Sequence, residues 1–101
     1  MNMDAAKINS KDFIDDRRPV VESAALIATE ASRLLRGGAS VVVSVCGVRG
    51  VSSSFFNVIL SVVSEELHGD FSAGRFNVET DTATQRMVYQ HSLNAFSTPQ
   101  N

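Results

Sequence analysis

Between Val20 and Arg36 apolar side chains recur every three or four residues, at Val20, Ala24, Ile27, Ala28, Ala31, Leu34 and Leu35. Glu22, Thr29, Glu30, Arg33 and Arg36 take the other side, and this spacing predicts an amphipathic helix. Pro19 has the backbone angle suited to its start, and Gly37-Gly38 supplies a left-handed stop. Ser40 to Cys46 reads S-V-V-V-S-V-C, apolar or small on both alternating faces. That pattern predicts a central strand covered by helices on each side. A second helix is predicted from about Ser54 to Leu67, closed by His68-Gly69, followed by a short strand over Arg75 to Thr80 with Phe76 and Val78 on one face. Thr82-Ala83-Thr84-Gln85 has capping-box spacing and predicts a last helix from about Ala83 to Phe96, whose scattered apolar positions leave its packing face undefined.

Ahead of these, residues 1–18 are polar, with a strand-like piece around Ala5 to Phe13 and a charged turn, Asp15-Asp16-Arg17-Arg18. The first strand is expected at a sheet edge, with antiparallel pairing. Residues 19–96 carry the alternating pattern, and 97–101 read as a frayed polar tail. Strands alternating with helices predict one small α/β domain: a mostly parallel sheet of three to four strands with helices packed on it.

Composition narrows the function classes. With 101 residues the chain has room for one modest core, and 44% apolar with 20% charged residues is ordinary globular usage. Nine basic against eleven acidic residues, with few aromatics among the cations, leave no nucleic-acid footprint. The polar start and the lack of a run of about 20 apolar residues predict neither a signal peptide nor a membrane span. A single cysteine, Cys46, fits a reducing compartment, and the expected location is the cytoplasm.

The candidate chemistry sits in Val41 to Val63. The predicted inner strand runs through Gly47-Val48-Arg49-Gly50 into Ser52-Ser53-Ser54, which open a helix. One serine there satisfies orphan N–H groups as a cap; three exceed that need. Helix starts also favour negative charge, so a phosphate on one of these hydroxyls is tolerated locally and adds nearly two charges to the surface. Phe56, Ile59, Leu60, Val63 and Leu67 form the stripe expected against the sheet, while Phe55, Val58 and Val62 form a second, rotated stripe. This second stripe is either packing on a neighbouring element or an exposed docking patch beside the serines.

Val42 to Phe56, V-V-S-V-C-G-V-R-G-V-S-S-S-F-F, resembles the strand–loop–helix signature of the STAS superfamily of anti-anti-sigma factors. It is closer to the STAS-like family of small bacterial proteins, in which a serine-rich loop of this kind follows a hydrophobic strand. In anti-anti-sigma factors the loop commonly reads Asp-Ser-Ser-Gly, and a partner with a histidine-kinase-type ATPase fold phosphorylates the second serine. Aligned by strand and loop, those positions fall on Ser52, Ser53, Ser54 and Phe55. The resemblance therefore implies Ser54, with Ser53 beside it, as candidate phosphoacceptor. It implies as partner an ATPase-type anti-sigma factor or sensor kinase. The expected docking surface is Arg49 and Ser52 together with the second stripe, Phe55, Val58 and Val62. The chain departs from the pattern in having no acid at Ser52 or Ser44 and a bulky Phe55 in place of glycine.

Other chemistries have weaker signals. His68 and His91 lie in no motif, and G-x-S-x-G is absent around Ser53, so a serine hydrolase is the least supported reading. Cys46 reads as a buried, inert thiol. One cysteine and two separated histidines give no metal spacing, and neither phosphate-binding glycine motif occurs. The expectation is a non-catalytic regulatory docking module without cofactor, with self-association as a further option in that class. The alternative is an anion- or nucleotide-binding domain at the second helix N-terminus.

Overall fold

The computed structural model describes residues 5–15, 17–71 and 73–96, so the predicted tail at 97–101 lies outside the described residues. In chain order these form β1 (Ala5–Asn9), a 3-10 turn (Ser10–Asp12), α1 (Val20–Arg36), β2 (Ser40–Ser44), α2 (Ser53–Leu67), β3 (Phe76–Glu79) and α3 (Ala83–Phe96). The strands make one parallel sheet in the order β1-β2-β3. β1 is thus an edge strand as expected, but it pairs parallel to β2, with Ile8 opposite Val43. The antiparallel expectation fails because α1 is a full crossover that returns the chain to the same end of the sheet.

Register separates the two faces. Ala6, Ile8, Val41, Val43, Phe76 and Val78 share one face, with Val41, Val43 and Val45 fully buried. Lys7, Val42, Ser44, Asn77 and Glu79 share the other, where the edge residues are exposed and Val42 is half-buried. α1 packs on α2 and α2 on α3, so the helices form one layer on the first face. The central strand is therefore covered on one side, not two. Across the bare face the Lys7 ammonium meets the Glu79 carboxylate at 3.0 Å, bridging the two edge strands over β2.

Each helix is held by identifiable chemistry. In α1 the buried residues Ala24, Ile27, Ala28, Ala31 and Leu35 keep the predicted spacing, and the small alanines admit close approach. The left-handed stop is Gly38, at φ 95°, while Gly37 keeps φ −79°. Arg75 donates from Nη2 to the carbonyls of Leu35 at 2.6 Å and Ala39 at 3.2 Å, satisfying the end of α1 from the start of β3. Glu66 of α2 accepts from Ser32 at 2.8 Å and Arg36 at 2.9 Å, joining α2 to α1.

The position of α2 explains its two apolar stripes. As the middle helix it meets α1, α3 and the sheet, so it needs oil on three sides. Phe55 is 1% exposed and stacks edge-on to Phe56 at 5.5 Å, and Phe56 lies 5.4 Å from Tyr89 of α3. Phe55 is therefore core rather than contact area. Val58 and Val62 are half-buried against the same core.

Candidate functional site

The loop from Val45 to Ser52 leaves the carboxyl end of the central strand. Gly47 and Gly50 adopt φ 78° and 70°, left-handed values that a side chain makes costly, so two turns fit into four residues. Asp81 of the β3–α3 connection and Gln85 in the first turn of α3 hold the loop. Asp81 Oδ2 accepts from the Gly47 amide at 2.9 Å. The Gln85 side-chain nitrogen donates to the carbonyls of Val45 and Val48, each at 3.0 Å, while its oxygen accepts from the Asp81 amide at 2.9 Å. Gln85 is buried, and every polar atom of its side chain is engaged. The predicted capping box is half formed: Thr82 Oγ1 accepts from the Gln85 amide at 3.1 Å, but the Gln85 side chain reaches the Asp81 amide and the loop rather than Thr82.

The clamped loop delivers Ser52, Ser53 and Ser54 exposed at the start of α2. Ser52 occupies the N-cap position in extended conformation, but its hydroxyl makes no capping bond. Capping therefore does not consume this serine. Arg49 is exposed in the same loop.

The apolar neighbour of the serines lies elsewhere than the sequence pattern suggested. With Phe55 in the core and Val62 facing a groove shared with Thr29, Ser32, Arg33 and Arg36 of α1, the second α2 stripe is mainly packing. Ser53 instead borders an open hollow with Met87, Val88 and His91 of α3. Met87 is 71% exposed, the most exposed of the large apolar side chains described. Nothing in the sequence singled it out, because α3 turns Gln85, Tyr89 and Ser92 inward, polar-bearing residues that hide its helical period.

Reaction chemistry finds little support in this arrangement. Ser53 and His91 share the hollow, yet no hydrogen bond joins them and no carboxylate lines it, so the elements of an activated serine are not assembled. His68 is exposed and takes the left-handed position ending α2, at φ 54°. Cys46 is half-exposed on the bare side of β2, its Sγ 3.7 Å from Glu79 Oε1, rather than sealed in the core. Beside Glu79 the Lys7 ammonium holds the carboxyl below its ordinary value, with the Ser44 hydroxyl helping. Among the described residues no group of three or more His, Cys, Asp or Glu is placed to hold a metal ion, and no helix is long and apolar enough to cross a membrane. No protein-family model matches the chain, and neither a curated protein nor a solved structure is found to match it.

Proposed function

We propose that this chain is a regulatory docking module of the STAS-like type, which meets a histidine-kinase-type ATPase through the serine loop and the adjoining face of α3. The observation that carries the reading is the exposure of Ser52, Ser53 and Ser54 at the start of α2, with Ser53 sharing an open hollow with the exposed Met87. An exposed apolar side chain next to a hydroxyl cluster makes a contact that a single phosphate opposes, by desolvation and by charge. Ser54 is the proposed phosphoacceptor, with Ser53 second, as the resemblance of the loop implies. The uncapped start of α2 favours the modified state, since its free N–H groups attract negative charge. The clamp by Gln85 and Asp81 keeps the loop in one conformation, which lowers the ordering cost of docking. Phe55 acts from the core, fixing the first turn of α2, while Arg49, Met87 and Val88 supply the surface.

The experiment is incubation with a histidine-kinase-type ATPase from the same genome and ATP, followed by mass spectrometry of the peptide containing Ser52–Ser54. A gain of one phosphate on Ser54 or Ser53 supports the switch. A peptide left unmodified by an ATPase that binds the chain removes the switch and keeps docking.

A further inference from the structure

We propose that the cleft between the 3-10 turn and the β2–α2 loop, lined by Lys11, Ile14, Gly47, Val48 and Arg49, binds a phosphate-monoester or carboxylate head group carried on a small apolar body. The cleft lies at the carboxyl ends of β1 and β2. It is an open cleft of about 330 Å³, at the lower end of the range of roughly 300–1,000 Å³ for small-molecule sites.

Two cations line it. Elsewhere Lys7, Arg33 and Arg36 are committed to ion pairs, and Arg18 and Arg75 to backbone carbonyls. Lys11 and Arg49, like Arg17 and Arg86, have no ion pair among the described residues, and these two line this cleft. The Lys11 side chain lies along Gly47: a β-carbon there would stand 3.3 Å from both its Cδ and its Nζ. A glycine at this position thus serves two ends, the left-handed turn and the close lie of the ammonium over the loop. No carboxylate is among the residues lining the cleft, and the nearby Asp81 carboxylate is engaged by the Gly47 amide at 2.9 Å. Gln85 holds the Val48 carbonyl, giving the cleft a wall that is ordered before a ligand arrives. Ile14 and Val48 add apolar surface, which suits an anion with an organic body better than a bare ion.

The site includes none of the three serines and not Met87, so it stands apart from the docking surface except for Arg49, and Lys11 separates the two. The test is a titration of the full chain with phenyl phosphate and with inorganic phosphate, followed by amide chemical shifts. Saturable shifts at Lys11, Gly47, Val48 and Arg49, tighter for phenyl phosphate, are expected. Lys11→Gln should weaken binding by about tenfold, as loss of one charge-assisted hydrogen bond does, with thermal stability unchanged. Ser54→Ala should leave binding as it is. A phosphoserine peptide forms a further arm: tighter binding than phenyl phosphate assigns the source as a phosphorylated protein segment, weaker binding assigns a free small molecule. Shifts that do not saturate, that ignore Lys11→Gln, or that appear at Ser53 and Ser54 alone would overturn the assignment.

Discussion

Gln85 of α3 donates its side-chain amide to the backbone carbonyl of Val48 at 3.0 Å, tying the last helix to the loop that carries the serines. The same nitrogen reaches the Val45 carbonyl at the end of the central strand. One buried amide thereby connects β2, the loop and α3, and fixes where Ser52 begins α2.

Gln85→Leu keeps the apolar bulk but strands two carbonyls and the Asp81 amide, so chemical denaturation should show a loss of about 2–3 kcal/mol. Gln85→Glu adds a diagnostic. Its ionised carboxylate faces two carbonyls, so the folded state raises its pKa, and stability is present at low pH and lost as pH rises through that value. Urea midpoints that recover on acidification check this point.

Phe55 and Met87 should separate core from surface. Phe55→Ala removes a fully buried ring and should cost about 3–5 kcal/mol, read from urea unfolding. Met87→Ser alters an exposed side chain and should stay within about 0.5 kcal/mol. Equal losses would mean that α3 sits differently on α2.

Tyr89 is the chain's one tyrosine, so its phenol can be followed by absorbance without interference. Burial pushes its pKa from 10.0 up to about 12. The neutral form is favoured by the fold, so this contribution is complete below pH 10 and is lost as pH rises towards the folded-state value. A phenolate midpoint near 12 that returns to 10 in denaturant is expected.

At acid pH the sign reverses. Arg36, then Ser32, hold the Glu66 carboxyl below its ordinary value of 4.5. The stability this link provides is present above 4.5 and lost as pH falls through the lower folded-state value. Melting temperatures should be flat above about pH 4.5 and decline below it, and Glu66→Gln should make the decline shallower, leaving the share of Glu30 and Glu79, which are lowered likewise. Added salt should weaken the effect, since the Arg36 side chain is exposed.

The elements of this fold were legible where hydrophobic period was clean. Ile27, Ala28 and Leu35 announce α1, and Phe76 with Val78 announce β3, because each element turns its large apolar residues to one face. The direction of β1 was not legible, since five residues carrying one buried side chain, Ile8, pattern alike in either sense. Nor was the bare face of β2: Val42 between Ser40 and Ser44 looks buried in sequence, yet the sheet ends in a salt bridge there. The serine cluster was visible as a motif, but its neighbour Met87 was not, because adjacency across α2 and α3 depends on tertiary packing. Lys11 was hidden for the same reason, lying far in sequence from Gly47 and close in space.

The docking account is tested most directly by calorimetric titration with a histidine-kinase-type ATPase from the same genome, using the unmodified chain and the variants Met87→Asp, Ser54→Asp and Val21→Asp. Binding by the unmodified chain, weakened at least about tenfold by a charge at Met87 or Ser54 and unaffected by one at the exposed Val21 of α1, is the predicted result. No binding by the unmodified chain, or equal binding by all four proteins, would contradict it.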